Sequence, residues 1–241
     1  MAYLVTQSLY NYNHIKEMSH DEKSNPPRVQ HLKKYRGFLP FIPGLYGALF
    51  FVLLIYFGDK PSILFGGLMF VIGLFFTVKG KKISMIIPGF KSFYTGLAWA
   101  CMVIFTAVYC SEYKILPVLL FFIFVFIRIT INVSFCDIKD IDADRAAGLK
   151  TLVMIFKNRD EALNFLHVLN IFSFIFLITG VIIHAFQPYT LFLMFSFFNT
   201  FYYTQRAKNP DTDISSLSYI VADGELLFWP FFIFIGMLLL P

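Results

Sequence analysis

The sequence predicts an all-α, polytopic transmembrane helical bundle, and three observations carry that reading. Hydrophobic residues make up 58% of the 241 and charged residues only 15%, where a soluble domain averages about 45–50% and about 25%. Seven stretches are long and apolar enough to cross a bilayer, which takes about 20 residues. The basic residues gather on alternate connections between those stretches, as the positive-inside rule requires. The same composition excludes a soluble globule, a disordered chain and a coiled coil.

Taken in order, Met1–Asn13 is moderately apolar but too short to span alone. It reads as the lower half of a helix. It has no charged leading region and no cleavage-site pattern, so it is not a signal peptide. Gly37–Gly58 carries no formal charge, nor do Pro61–Val78 and Ser92–Ser111. Ile115–Cys136 is interrupted only by Arg128. Ala162–Gln205 runs for 44 residues without Asp, Glu, Lys or Arg. That is two spans with a turn near His184–Tyr189, where Gln187-Pro188 breaks the helix. The last span runs from about Ser218 to Leu240. With the half-helix at the start, the count is about eight helices in one domain, residues 1–241. Cys101, Cys110 and Cys136 are an odd number in or beside apolar runs, so no disulfide framework or zinc pattern follows.

The net charge of +5 is informative through its location. Lys16–Arg36 holds six basic residues, Lys79–Lys91 four, Lys139–Arg159 five and Arg206–Lys208 two. These 17 fall on one side, which the positive-inside rule makes cytoplasmic. The other side has only Lys60 and Lys114. Spread over four short loops, the charges form no nucleic-acid patch, and no nucleic-acid partner is expected.

Thirteen of the 15 acidic residues share that side. Acids beside a bilayer are costly and need a reason. Asn13, Glu17 and Asp21 are spaced by four, one helical face, before Pro26-Pro27 ends the helix. Asp137, Asp140 and Asp144 sit at i, i+3 and i+7, again one face, with Asp142 pointing elsewhere and Gly148 offering a stop. Asp223-Gly-Glu225 opens the last span, with Arg128 or a loop lysine as its partner. Each group also has a plain reading as a solvated charge run. For Asp223 and Glu225, structural ion pairing stands beside a direct functional role.

Carboxylate faces of this kind suit Mg²⁺, which takes oxygen ligands and bridges carboxylates to phosphates. Arg28, Lys91, Arg145 and Lys150 can neutralise phosphate oxygens. A substrate with a diphosphate head and a hydrocarbon tail fits such a site. Aromatic faces can stabilise the allylic cation left when diphosphate departs. An EF-hand would need Gly and Glu where Arg145 and Thr151 stand. No segment supplies the motif of the CDP-alcohol transferases.

Asp137-x2-Asp140-x3-Asp144-Arg145-x2-Gly148-x-Lys150-Thr151-Leu152 is similar, nearly position for position, to the second aspartate motif of the UbiA family of intramembrane prenyltransferases. Asn13-x3-Glu17-x3-Asp21 with Asn25-x-Pro27-Arg28 resembles the first motif more loosely. Ile86-Ile-Pro-Gly-Phe-Lys91-Ser-Phe-Tyr94 resembles the family's basic loop. His14 stands where the family often has Asp, Glu17 replaces Asp, and Arg28 is one residue nearer Asn25 than usual.

The resemblance implies a UbiA-like bundle around a central cavity. It assigns Asn13, Glu17, Asp21, Asp137, Asp140 and Asp144 to Mg²⁺–diphosphate binding, with Asp137, Asp140 and Asp144 catalytic. Asn13, Lys91, Arg145 and, more weakly, Arg28 would contact the diphosphate; Lys150 joins them on charge and position. It also implies that the first family helix is missing, and that the chain is about one helix short. The expected activity is Mg²⁺-dependent transfer of a prenyl chain from an isoprenyl diphosphate to an aromatic or lipid-like acceptor at the cytoplasmic face. A terpene cyclase on the same fold and a non-catalytic scaffold are the rivals. Arg128, the only mid-span charge, is functional or paired with an acid. Asn132 lines the cavity or caps a neighbour. His167, His184 and Trp99 read as packing or interface residues.

Overall fold

A computed structural model describes residues 1–24, 26–112 and 114–240, excluding the side chains of Glu17, Ser19, His20, Asp21, Lys23, Ser24, Pro26, Pro27, Arg28 and Lys81. Every regular element among them is a helix. Among the described residues five helices are long and apolar enough to cross a membrane: Lys60–Gly80, Phe90–Tyr109, Ile115–Ala146, Arg159–Ile182 and Ile214–Leu239. Phe41–Phe57 is a shorter apolar helix of 17 residues. The remaining expected span, before Gln205, is built as a 3-10 segment, Pro188–Met194, leading into the α-helix Phe195–Arg206. The turn falls where Pro188 predicts it. The preceding helix stops at Ile182, and His184 adopts a positive φ of 56°.

Contacts gather the chain into two compact units, Met1–Ile83 with Ile104–Tyr113, and Ser84–Val103 with Lys114–Pro241. The first holds α1 (Ala2–Ser24), α2 (Pro26–Lys34), α3 (Phe41–Phe57) and α4 (Lys60–Gly80). α1 ends at Ser24 and α2 begins at Pro26, where Pro26-Pro27 opens the helix as a proline opens a first turn; Asn25 lies outside the described residues. α1 packs on α3 through buried Val5 and Ser8. The Ser8 hydroxyl donates to the Pro43 carbonyl over 2.8 Å. Phe50 and Leu54 of α3 form the buried centre of this unit. Asp59 caps α4 by accepting from the Ser62 amide at 2.9 Å. Those Ser62 bonds hold its carboxyl below the usual range. α4 ends in a π-helical turn, Phe76–Gly80.

The second unit contains the C-terminal end of α5 (Lys81–Ile86) and the first part of α6 (Phe90–Tyr109). It continues with α7 (Ile115–Ala146), α8 (Arg159–Ile182), α9 (Phe195–Arg206) and α10 (Ile214–Leu239). α7 is the central element, packed along α8. Ile131 and Phe135 of α7, Leu163 and Leu166 of α8 and Tyr203 of α9 share one buried cluster. Phe124 and Leu177 anchor another. The outward faces carry exposed apolar side chains such as Ile171, Phe172 and Phe231, as lipid contact demands.

Candidate active site

α7 is 32 residues long and outruns its apolar stretch, so its last turns carry the second aspartate motif. The helical register decides which acids face inward. Asp137 is 2% exposed and Asp144 3%. Asp140 is partly buried, whereas the Asp142 side chain is fully exposed. The one-face spacing read from the sequence is therefore the face found. The helix stops at Ala146, and Gly148 follows with a positive φ of 73°.

Lys91, on the first turn of α6, reaches this face. Its ammonium donates to Asp137 Oδ1 over 2.7 Å. The Ser92 hydroxyl donates to Asp137 Oδ2 over 3.3 Å. Lys91 also lies within Coulombic range of Asp140 and Asp144. Asp144 Oδ2 is buried and has no hydrogen-bond partner among the described residues.

The position of Lys91 is set by a staple between two connections. The Lys150 amide donates to Ser84 O over 3.0 Å, and the Gly89 amide donates to Lys150 O over 2.8 Å. Gly89 has a φ of +74°, and a Cβ there would meet Leu152 at 3.0 Å. A left-handed conformation costs a residue with a side chain about 1–2 kcal/mol. Gly89→Ala is therefore expected to lower stability by about that amount, read as a lower thermal midpoint in detergent. An unchanged midpoint would show that the staple yields freely.

Two expected phosphate contacts sit elsewhere. The Arg145 side chain is 70% exposed and turned toward Asp142, 3.7 Å away. Lys150 is exposed, and its backbone makes the staple. On α1, Asn13 is part-buried and bonded; the side chains of Glu17, Asp21 and Arg28 lie outside the described residues.

The sequence named Arg128 and Glu225 but left their pairing open. Arg128 is 2% exposed, at the middle of α7. It pairs directly with Glu225 of α10 and donates to Asn170 Oδ1 of α8. It also donates to Thr200 Oγ1 at 2.7 Å and Ser196 O at 3.1 Å, both on α9. Glu225 Oε2 lies 3.1 Å from Thr200 Oγ1 and 3.4 Å from Asn199 Nδ2. One cation thus ties four helices. Asn170 and Thr200 carry the missed signal: polar residues within an apolar run need an interhelical partner. Asp223, two residues before Glu225, accepts from Cys136 Sγ at 3.6 Å and from the Asn132 side chain. His167 bonds Thr204 and Gln205, a packing role.

The donor set for a metal consists of hard carboxylate oxygens. Among the described residues no three His, Cys, Asp or Glu side chains are arranged to hold an ion by themselves. Mg²⁺ is usually held by one or two carboxylates with substrate phosphates completing its shell. Asp144, with one buried orphan oxygen, fits that mode, whereas both oxygens of Asp137, two turns away, are engaged by Lys91 and Ser92.

Helices of membrane-spanning length, one of them ending in buried carboxylates that face an ammonium at the start of another, define an integral membrane protein. Residues 2–229 match the UbiA prenyltransferase family. The chain belongs to that family, a family of intramembrane prenyltransferases. No curated protein and no solved structure matches it.

Proposed function

We propose that the chain transfers a prenyl group from an isoprenyl diphosphate to an aromatic or lipid-like acceptor inside the membrane, with Mg²⁺ at the cytoplasmic face. The observation that supports this most is the ammonium of Lys91 set against buried Asp137, beside the unpartnered Asp144 oxygen. Asp144, with Asp140 one turn before it on the same face, would hold the metal through carboxylate oxygens, and Asp137 would keep Lys91 in place beside them. Bound there, Mg²⁺ offsets the charge that develops on the leaving diphosphate. Lys91 would donate to a phosphate oxygen through a charge-assisted bond. The bond between the allylic carbon and its oxygen breaks, and the electron pair leaves with diphosphate. The acceptor forms a bond to the cationic carbon and gives up a proton. Aromatic side chains lining the path of the prenyl chain would exclude water and stabilise the cation.

The test is release of diphosphate from an isoprenyl diphosphate in membranes holding the full chain, with and without Mg²⁺ and with and without acceptor. Release that needs Mg²⁺ and yields a prenylated acceptor is expected. Release without acceptor, giving a cyclic hydrocarbon, would identify a cyclase. No Mg²⁺-dependent binding or release would identify a scaffold.

A further inference from the structure

Lys139 lies in the second motif, between Asp137 and Asp140, at a position to which the sequence assigned no role. Neighbours on a helix, i and i+1, do not face one another. Yet the Lys139 ammonium reaches back to Asp140 Oδ2 over 2.5 Å, and its side chain is 13% exposed. The cause lies on α10. Leu217–Ala222 is a π-helical turn, a feature that re-aims side chains and recurs at functional sites. It carries Tyr219, whose ring lies 4.9 Å from the Lys139 ammonium. The ring holds the cation toward the acids, where Asp144 and Asp223 also act on it electrostatically.

The geometry points to Lys139 as a second diphosphate-contacting cation, positioned by Tyr219, on the opposite flank of the Asp137–Asp140–Asp144 face from Arg145. This rests on the prenyltransferase reading above. The reasoning is one of charge and place. Arg145 and Lys150 are exposed and turned away or engaged through backbone. Lys91 and Lys139 are instead the ammonium groups bonded to motif carboxylates among the described residues. An anion bridged to Asp140 through a metal would lie within reach of the ammonium already bonded to that carboxylate. Lys139 would then exchange part of its bond to Asp140 for one to a phosphate oxygen, with Tyr219 keeping it from swinging to solvent.

The probe is inorganic diphosphate with Mg²⁺, bound to the full-length protein in detergent and measured by calorimetry, with thermal midpoints recorded alongside. Lys139→Met is expected to weaken binding at least about tenfold, the loss of one hydrogen bond to a charged group. Lys139→Arg should recover most of it. Tyr219→Leu should weaken binding several-fold while Tyr219→Phe, which keeps the ring face, stays near wild type. With isoprenyl diphosphate as substrate, KM should rise in parallel with the diphosphate constant, and kcat should change less. Unchanged diphosphate binding in Lys139→Met, with binding intact in the wild type, overturns this assignment alone. If Lys139→Met does not fold, equal binding by Tyr219→Leu and Tyr219→Phe overturns it. Absence of Mg²⁺-dependent binding in the wild type overturns the prenyltransferase reading itself.

Discussion

Glu225→Ala is expected to destabilise the unit built on α7, α8, α9 and α10 by about 3–5 kcal/mol, because it strands a buried arginine. Arg128 is almost wholly enclosed, and its other bonds go to neutral groups on α8 and α9. None of them cancels its charge. Arg128→Met should cost a similar amount by stranding Glu225. The double variant Arg128→Met/Glu225→Leu removes both charges and keeps apolar volume. It should regain most of the loss, since replacing a whole buried pair is often close to neutral. Unfolding in detergent, followed for all three variants, reads this directly. If either single variant stays within about 1 kcal/mol of the wild type, the size expected of an exposed pair, the pair does not clamp the helices. The clamp also bears on the site. Glu225 sits two residues after Asp223 and just past the π-turn that carries Tyr219, so releasing α10 should disturb the acids of α7 as well.

The second large effect concerns chemistry. Asp144→Asn and Asp137→Asn are each expected to slow diphosphate release by about 10²–10³-fold, the usual cost of losing one preorganised group that stabilises developing charge. Both keep the side-chain shape, so folding should survive better than in the alanine variants. Asp142→Asn is the internal control. It belongs to the same motif, but its side chain is fully exposed and paired only loosely with Arg145. Its rate should stay near wild type. Lys91→Met should fall between, because the ammonium has one acid partner at bonding distance and others at longer range. Equal losses in Asp142→Asn and Asp144→Asn would mean that the motif acts through total charge, and that the inward face has no special part.

Much of this was legible beforehand because it depends on local rules. Spacings of three and four identified the face of Asp137, Asp140 and Asp144 and set Asp142 apart, since 3.6 residues per turn leave no choice once a helix forms. The break after Gln187 and the stop near Gly148 follow from backbone chemistry at single residues. Other features were not legible. The last apolar stretch before Gln205 reads as one α-helix, yet it opens with a 3-10 segment at Pro188. The π-turn before Asp223 leaves no mark in a period-based reading, because one inserted residue changes direction without changing composition.

What the sequence by itself determined is the class: a membrane-spanning helical chain of the UbiA family, with carboxylates in register at the end of one helix. Hydrophobicity, charge and helical period act over a few residues, so a one-dimensional reading captures them. What only the tertiary structure decided is partnership. Arg128 chose Glu225, Asn170 and Thr200; Lys91 rather than Arg145 or Lys150 went to Asp137; Lys139 was turned to Asp140 by a ring from another helix. These pairs are separated by 42 to 97 positions where they join different helices. A buried charge must be matched by whichever complementary group packing brings within about 3 Å, and that choice exists only once the helices are side by side.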